Sequence, residues 1–395
     1  MARIYEGVKV VDLSRVLAGP FCAQLLADMG ADVIKVEAPE GDENRRWPPL
    51  MPNGLSGNYA SVNRGKRAMT LNMKAPRAAE VLERLVRRAD VVLHSFLPAT
   101  AARLGISYER FHGLNPRLVF CSITGYGERG ELANKPGYDL MVQAFAGPMS
   151  VTGYEEGPPV RTGVSFVDMA TGMSAYGAIA SALYARERTG RGNWVRASLL
   201  ETAVSILGYH GIAWLQAGVR PRKQGSGGAN QAPYQAFHCA DGFLLVGAPN
   251  NAAWQRLCTA LGDEGLKADP RFASNESRLR HRDELVPLLE AHLKRHDAAH
   301  WVALLEEHGV AVAPIQTLDQ VLAHPQVLAN AMVVATHDAG GQAWPGLGTP
   351  FKVEDGGGIA PSAPPSLGEH SDQILHDDLG FSAADIVALR QEGAI

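Results

Sequence analysis

The hydrophobic pattern of the first forty residues predicts a strand, a helix and a second strand. Four of the six residues 8–13 are apolar, which is typical of a buried parallel strand, and residues 31–37 are the next predicted strand. Between these strands, apolar residues recur at helical spacing. Pro20 stands where a first helical turn accepts proline, and Gly30 stands where a helix ends. This order with short connections indicates a parallel βαβ unit.

The same alternation continues to about residue 217. The pattern predicts a helix over 77–88, strands over 90–94 and 117–123, and a strand over 194–197 between two longer helices. Strands that alternate with helices imply a parallel sheet that is covered on both faces. We therefore expect an α/β fold whose large domain is Rossmann-like.

A second, smaller α+β domain is predicted in the middle of the chain. Residues 218–232 are rich in Gly, Arg, Gln and Ser, which is typical of a linker. A hairpin over 234–246 follows, and then helical segments over 252–261, 277–295 and 298–307. The expected division is 1–217 for the first part of the large domain, 218–232 for the linker, 233–325 for the small domain and 326–395 for the second linker and the rest of the large domain.

Composition narrows the possible classes of protein. The chain of 395 residues is 46% hydrophobic and 20% charged, as in globular proteins, and no apolar run is long enough to cross a membrane. A net charge of −4 gives no general reason to bind nucleic acid or an anionic membrane. The first thirteen residues lack the pattern of a secretory signal, and the four cysteines lack CxxC spacing. We expect a cytoplasmic protein without a metal, nucleic-acid or membrane partner.

Residues 125–130 match the GxGxxG pattern of dinucleotide-binding proteins and follow a predicted strand. That motif works only when its last glycine opens a helix whose amino terminus faces the pyrophosphate. Asn134, Pro136 and Gly137 follow instead, so no helix is expected there. A glycine-rich turn is the favoured interpretation, and a nicotinamide-dependent oxidoreductase is an alternative of another class.

Three histidines at a spacing of four, His292, His296 and His300, suggest metal ligands on one helical face. Asp297 is expected to cap a new helix at this point, which would break the alignment. A solvated polar face is the favoured interpretation. The chain also lacks an HExxH motif, a GxSxG elbow and a phosphate-binding P-loop.

Asp168 stands at the beginning of a helix that is made largely of small residues. Each glycine costs a helix about 1 kcal/mol relative to alanine, so this sequence suits a helix pressed against other backbone. The simplest interpretation of Asp168 is a helix N-cap. The positive end of the helix would also favour its ionised form, which a carboxylate nucleophile needs. The two roles are compatible.

Several stretches in the same order resemble the class III CoA-transferases, the CaiB–BaiF family of the formyl-CoA:oxalate CoA-transferase type. Among them are VKVVDLSRVLAGPFCAQLLADMGADVIKVEAPEGD, NRGKRAMTLNMK, KPGYDLMVQA and RTGVSFVDMATG. The resemblance implies that Asp168 is the catalytic nucleophile. It further implies that CoA is a substrate rather than a tightly bound cofactor. It also implies a small domain joined by two linkers and an interlocked homodimer.

The resemblance also implies which residues contact CoA. Cations would suit a ligand with several phosphate charges, and Arg64, Lys66 and Arg67 occur near these positions together with Lys74 and Arg103. The implied CoA contacts are Leu17, Ala18, Ala38, Leu71, Asn72, Met73, Lys74, Ser95, Phe96, Leu97, Arg103, Gly137, Tyr138 and Asp139.

A glycine-rich segment resembles the mobile loop that covers the intermediate in some members of the family. It consists of Gly225, Ser226, Gly227 and Gly228. Backbone N–H groups in such loops are natural donors to an oxyanion. A plain flexible linker is an equally good interpretation.

The nearest alternative function shares the fold. The α-methylacyl-CoA racemases resemble this chain but carry histidine in a GHD motif, where this chain has Gly137, Tyr138 and Asp139. Tyrosine is a poor base at neutral pH, because phenols lose their proton only near about pH 10. The racemase is therefore the less favoured interpretation.

The acceptor acid is the least determined part of the expected reaction. Arg45, Arg46 and Arg129 are candidates to pair with a second carboxylate on the substrate, and surface arginines without that role are equally expected. We expect transfer of CoA from an acyl-CoA, with succinyl-CoA favoured, to a small carboxylic acid. A C4–C5 dicarboxylate such as itaconate, mesaconate or malate is favoured.

Overall fold

The computed structural model describes residues 3–52, 54–358 and 362–395. The strands are β1 (Lys9–Leu13), β2 (Asp32–Glu37), β3 (Lys66–Thr70), β4 (Val91–His94), β5 (Val119–Thr124), β6 (Trp194–Ser198), β7 (Tyr234–Cys239), β8 (Gly242–Gly247), β9 (Ala311–Pro314), β10 (Val333–His337) and β11 (Ala343–Leu347). The helices are α1 (Ala18–Asp28), α2 (Gly57–Ala60), α3 (Ala78–Arg88), α4 (Pro98–Arg103), α5 (Tyr108–Leu114), α6 (Asp139–Phe145), α7 (Pro148–Val151), α8 (Phe166–Thr189), α9 (Leu199–Ile206), α10 (Gly208–Ala217), α11 (Asn251–Leu261), α12 (Glu264–Ala268), α13 (Asn275–Arg280), α14 (Arg282–Leu293), α15 (Ala298–Glu307), α16 (Leu318–Ala323), α17 (Pro325–Ala329), α18 (Ser371–Gln373) and α19 (Ala383–Gln391).

Six parallel strands form one sheet in the order β3-β2-β1-β4-β5-β6. Side chains alternate between its two faces, so that Val33 and Ile34 of β2 belong to different hydrophobic cores. One core contains residues of α1 and α8, and the other contains residues of α3, α5 and α19. The predicted parallel α/β sheet with both faces covered is confirmed.

Strand β3 was not predicted from the hydrophobic pattern, because its first side chain is a buried lysine. The Lys66 ammonium group bonds Asp12 Oδ2 at 2.9 Å, Asn63 Oδ1 at 2.8 Å and the carbonyl oxygen of Pro20 at 2.8 Å. These partners compensate its burial, which otherwise costs several kcal/mol for an unpaired charge.

The small-residue helix α8 packs on α1, as its composition predicted. A Cβ atom at Gly172 would lie 2.6 Å from the carbonyl oxygen of Ala18. Only glycine permits this approach. The packing ties the helix that carries Asp168 to the helix that follows β1.

The chain divides into two compact units. The first comprises Met1–Gly147, Thr162–Gly211 and Pro325–Ile395, and the second comprises Pro148–Arg161 and Ile212–His324. The sheet belongs to the first unit. The predicted division at 1–217, 218–232, 233–325 and 326–395 stays a prediction.

The second unit has its own core around Trp254 and Phe272. The predicted hairpin is confirmed as β7 and β8, which pair with β9 to form an antiparallel sheet. The helix predicted over 277–295 is instead two helices, α13 and α14, with His281 between them. The predicted cap is confirmed, because the Asp297 side chain accepts a hydrogen bond from the backbone N–H of His300 at 2.8 Å.

No helix in the three described ranges combines the length and the apolar character that a membrane span requires.

Candidate active site

Asp168 is the third residue of α8, which begins at Phe166. The N-cap position belongs to Ser165, whose side chain makes no capping hydrogen bond. The interpretation of Asp168 as the N-cap is therefore wrong, because its backbone already lies within the first helical turn.

A second carboxylate caps α8 from another helix. Asp139 Oδ2 accepts hydrogen bonds from the backbone N–H of Val167 at 2.9 Å and of Asp168 at 3.1 Å. Asp139 Oδ1 accepts a hydrogen bond from Nε2 of Gln143, one turn later in α6, and both side chains are buried. The amino end of α8 thus holds an internal anion, which the positive end of a helix favours.

A close backbone approach brings Asp139 to this position. A Cβ atom at Gly125 would lie 2.7 Å from the Cα of Gly137, so the turn after β5 packs directly on the segment that leads into α6. No helix begins after Gly130, and the next helix starts at Asp139. The GxGxxG match therefore lacks the helix that a pyrophosphate site requires, and the expected glycine-rich turn is confirmed.

The electrostatic environment of Asp168 is unusual. Burial, and then the charge of Asp139, raise the pKa of the Asp168 carboxyl to about 7. In the described part of the chain, no donor bonds its carboxylate oxygens. The expectation that the helix end favours the ionised form is wrong, because Asp139 already occupies that end and burial opposes a second charge. A carboxylate that is basic and weakly solvated suits nucleophilic attack.

Asp168 opens into a cavity of about 270 Å³, which we call the first cavity. Its wall includes the turn after β1, the loop after β4, the turn after β5 and the segment that leads into α6. The implied CoA contacts that line it are Leu17, Ala18, Ser95, Phe96, Leu97, Gly137 and Tyr138.

A second cavity of about 410 Å³ borders the first and shares Arg15, Glu43 and Phe96 with it. Both lie at the carboxyl ends of parallel strands, where open α/β sheets bind ligands. Arg103 and Asp139 line neither cavity, since Arg103 ends α4 in an exposed position and Asp139 is buried against α8. The implied CoA contacts that line the second cavity are Ala38, Leu71, Asn72, Met73, Lys74 and Phe96.

The turn between β1 and α1 has a strained backbone. Val16 has a φ of 68°, a left-handed conformation that is rare for a β-branched residue. Its N–H donates to Asp42 Oδ2 at 3.0 Å, and its carbonyl oxygen accepts from Asn44 Nδ2 at 2.7 Å. Lys35 Nζ in turn bonds Asp42 Oδ2 at 3.3 Å. These buried side chains fix a turn that lines the first cavity, and such strain often collects at functional sites.

Sequence reasoning did not single out Arg15 and Glu43, which line both cavities. Arg15 Nη2 lies 3.1 Å from Glu43 Oε1, and the backbone N–H of Arg15 donates to Ser95 Oγ at 2.9 Å. Arg15 lies within the first stretch that resembles the family and Glu43 directly follows it, but the resemblance assigned no role to either residue. Their position directly after β1 and in the loop after β2 is a further signal that could have indicated them.

Most cations expected near CoA are used inside the first unit instead. Of the five, Lys74 lines the second cavity, and Arg103 lines neither the first nor the second cavity. The expectation for the other three is wrong, because each forms a close ion pair with an acid of the fold. The pairs are Arg64–Asp28, Lys66–Asp12 and Arg67–Asp32.

The arginines expected to bind a second carboxylate lie away from Asp168. Arg45 pairs with Glu37 at 2.6 Å and stacks on Tyr59, with 3.8 Å from its guanidinium carbon to the ring centre. Arg46 lines the second cavity, and Arg129 lines a separate cavity at β6. None of these three arginines lines the first cavity, so the expectation that they bind a second carboxylate beside Asp168 is wrong.

The glycine-rich segment 225–228 belongs to the second unit. The backbone N–H of Gly225 donates to the carbonyl oxygen of Gly153 at 2.8 Å, and Ser226 Oγ accepts from the N–H of Ala236 at 3.1 Å. The segment is therefore hydrogen-bonded within its own unit. Its closure over an intermediate stays a prediction.

Comparison with known proteins supplies an independent line of evidence. Residues 5–371 match CoA-transferase family III. A protein of Fusarium pseudograminearum named acyl-CoA transferase is 40% identical over 98% of this chain and 88% of its own length. The mouse succinyl-CoA:glutarate CoA-transferase is 37% identical over 99% of this chain and 90% of its own. A crystal structure of a CaiB/BaiF family protein from Brucella suis, 37% identical, superposes with a TM-score of 0.87 over 96% of this chain and all of its own.

Proposed function

The chain belongs to CoA-transferase family III, and from that premise we propose that it moves CoA from an acyl-CoA to a small dicarboxylic acid through Asp168. The Asp168 carboxylate carries the proposal. It is partly buried, faces the first cavity, and has no hydrogen-bond donor among the described residues. A carboxylate in this state can attack a thioester and hold the transferred group covalently.

The proposed reaction proceeds through two kinds of covalent intermediate. An oxygen of Asp168 attacks the acyl-CoA carbonyl carbon, the C–S bond breaks, and an acyl-aspartyl anhydride and CoA thiolate form. The thiolate then attacks the aspartyl carbonyl, which gives an aspartyl-CoA thioester and releases the donor acid. The acceptor carboxylate repeats these steps in reverse and leaves Asp168 free. Water must be excluded at the anhydride stages, because hydrolysis would waste the thioester energy.

The two neighbouring cavities divide the CoA molecule between them in this proposal. The nucleotide end would occupy the second cavity, where Lys74 and Arg46 supply positive charge for phosphates. The pantetheine arm would pass Phe96, which lines both cavities, and bring the thioester to Asp168. Arg103 remains a proposed contact at the exposed end of α4.

A dicarboxylate acceptor is supported by the chemistry of the first cavity. Arg15 is the only cationic residue among the described residues that line it, and a charged guanidinium can bind a carboxylate with two hydrogen bonds. The mouse relative's name pairs succinyl-CoA with glutarate, a C5 dicarboxylate. These observations support succinyl-CoA as donor and a C4–C5 dicarboxylate as acceptor, with glutarate, itaconate, mesaconate and malate as candidates.

A homodimer is part of the proposal. On α8, Ser174, Gly177 and Ser181 form an exposed small-residue face, and on the neighbouring α6, Met141 and Phe145 are 51% and 56% exposed. Contiguous exposed apolar side chains of this kind mark protein interaction surfaces.

We place the enzyme in the cytoplasm, since its four cysteines are all free thiols.

The experiment that tests the function is a panel of acids incubated with succinyl-CoA. New CoA esters are identified by mass, and the panel contains C2 to C6 dicarboxylates together with monocarboxylates of equal length. The proposal expects one or more C4–C5 dicarboxylyl-CoA products. If the incubation is carried out in D2O, deuterium at the α-carbon of the recovered donor acyl-CoA would indicate a racemase instead. Failure to transfer CoA to any acid would contradict the proposal.

A further inference from the structure

Two carboxylates with opposite hydrogen-bonding states meet at the amino end of α8. Asp139 accepts three N–H hydrogen bonds, from Val167, Asp168 and Gln143. Gln143 is itself fixed, because its Oε1 accepts a hydrogen bond from the backbone N–H of Thr162 at 3.1 Å. The Asp168 carboxylate accepts no hydrogen bond from any residue that the structure describes. The helix end thus stabilises the charge of Asp139 and not that of Asp168.

An acceptor-only carboxylate that meets three N–H donors is suited to carry a negative charge. Oδ2 of this group bonds the backbone N–H of Asp168 at 3.1 Å, so its charge acts on the Asp168 side chain at short range. In partly buried surroundings, two nearby carboxylates disfavour simultaneous ionisation. Asp168 therefore carries its charge at a cost that depends on Asp139.

We propose that Asp139 is a positioning residue that favours acylation of Asp168, by fixing the first turn of α8 and by opposing the negative charge of the free nucleophile. The inference rests on the proposed function. When an Asp168 oxygen attacks the thioester carbonyl, a C–O bond forms and the electron pair of the broken C–S bond leaves on sulfur. The side chain thereby changes from an anion to an uncharged acyl group, and the repulsion from Asp139 ends.

The same relief applies to the aspartyl-CoA thioester, which is also uncharged at Asp168. Asp139 therefore shifts the equilibrium from free enzyme and acyl-CoA towards the covalent enzyme. This role differs from the CoA contact that the resemblance implied for Asp139. The buried side chain lines neither cavity and is occupied by the helix that carries the nucleophile.

Among the described residues, the other charged groups near Asp168 belong to the cavity wall and to helices packed on α8. Tyr138 precedes Asp139 at the cavity wall, and Arg15 and Glu43 form an ion pair with each other across the cavity rim. On α9, which packs on α8, Glu201 accepts a hydrogen bond from Ser198 Oγ. At the far end of α1, Asp28 pairs with Arg64. Asp139 is thus the carboxylate whose charge acts most directly on Asp168.

The test compares wild type with Asp139→Asn, which keeps an oxygen that can cap α8 but removes the charge. We expect the acid limb of the pH profile of kcat/KM to move down by about one pH unit or more. At pH 8, the fraction of enzyme converted to the CoA thioester by acyl-CoA without acceptor should fall, with an equilibrium constant about tenfold lower per unit of that shift. Intact-protein mass spectrometry measures this fraction.

Two further variants distinguish charge from folding. Asp139→Glu keeps the charge and should retain the wild-type acid limb even if kcat falls. Glu109→Gln, which removes an exposed carboxylate from the first turn of α5, should leave both readouts unchanged. If Asp139→Asn does not fold, an acid limb that stays near the wild-type value in Asp139→Glu still supports the inference, and one that moves down contradicts it.

An acid limb and thioester fraction in Asp139→Asn equal to those of wild type would overturn the inference. Equal loss of activity at every pH would also overturn it, because that result indicates a structural cap without an electrostatic role. Failure of the proposed function gives a different result, in which the wild-type enzyme itself forms no thioester.

Discussion

Asp168 destabilises the folded protein at neutral pH, because burial and Asp139 raise its pKa to about 7. The unfolded chain has a pKa near 3.9 for this group, so the folded state binds the proton more tightly. Protonation of Asp168 therefore stabilises the folded state. This contribution is fully present below about pH 4 and is lost as pH rises through about 7. Ionisation of Asp168, the proposed nucleophile, therefore lowers the free energy of unfolding.

Asp168→Asn should therefore stabilise the protein at alkaline pH. Asparagine cannot ionise, so the free energy of unfolding of the variant relative to wild type should be larger at pH 8 than at pH 5. The difference between the two pH values should be about 1–2 kcal/mol after allowance for partial exposure. Urea denaturation at both pH values measures it, and an equal offset at pH 5 and pH 8 would contradict the raised pKa.

Arg15 is expected to select dicarboxylates. Arg15→Met should lower kcat/KM for a C5 dicarboxylate by roughly 10–100-fold, because a hydrogen bond to a charged group contributes about 1.5–3 kcal/mol. A monocarboxylate of the same length should be affected much less. Arg46→Met is the matched control, because Arg46 lines the second cavity but not the first. Its loss should weaken the binding of acyl-CoA to the same extent whichever acceptor acid is used. Similar losses for both acids in Arg15→Met would contradict the role.

At the residue scale, the resemblance singled out both Asp168 and Asp139 but not the contact between them. The family motif identifies one residue at a time, whereas Asp139 meets α8 next to the close backbone contact between Gly125 and Gly137. A contact across about thirty residues leaves no periodic trace in the sequence. Arg15 was missed for the same reason, because its proposed role depends on its position where the two cavities meet.

At the scale of elements, the contact between α1 and α8 should be intolerant of a single methyl group. Gly172→Ala should destabilise the protein by about 1–3 kcal/mol, because the new Cβ would lie 2.6 Å from the carbonyl oxygen of Ala18. Gly113→Ala in α5 is the control, since nothing lies within 4 Å of its Cβ position. It should stabilise by about 0.5–1 kcal/mol through helix propensity.

Thermal or denaturant unfolding of both variants gives the two values. A neutral or stabilising Gly172→Ala would show that α8 can move away from α1 without cost. That result would also weaken the argument that this packing holds Asp168 beside the turn after β1.

The hydrophobic pattern predicted elements well where they bury ordinary apolar side chains. Strands β1, β2, β4 and β5 were found within about two residues of the predicted ends. Strand β3 was missed because Lys66 occupies a core position through its pair with Asp12. The break at His281 was missed because neither glycine nor proline stands at this position to indicate a helix end.

At the scale of the whole molecule, we expect a homodimer in solution. Sedimentation equilibrium at micromolar concentration should give twice the mass of the chain, 42.2 kDa. Ser181→Arg places a charge on the exposed small-residue face of α8 and should weaken the dimer or prevent its assembly. A wild-type monomer that is stable at this concentration would contradict the proposal.

The sequence also predicted that the middle of the chain forms a domain of its own, because a hairpin and helices there replace the strand–helix alternation. It did not indicate that Pro148–Arg161 belongs to that unit. The assignment depends on contacts such as Gly225 N–H to the carbonyl oxygen of Gly153, which join segments about seventy residues apart. No local pattern encodes such contacts.

The central claim is that Asp168 becomes covalently attached to substrate, and peptide mapping after hydroxylamine trapping tests it most directly. Wild-type enzyme is incubated briefly with succinyl-CoA, treated with hydroxylamine and digested. The account predicts a hydroxamate on the peptide that contains Asp168, and no modification of this peptide in Asp168→Asn, whose CoA transfer should fall by several orders of magnitude. A hydroxamate only at another residue, or transfer by Asp168→Asn at near wild-type rate, would contradict it.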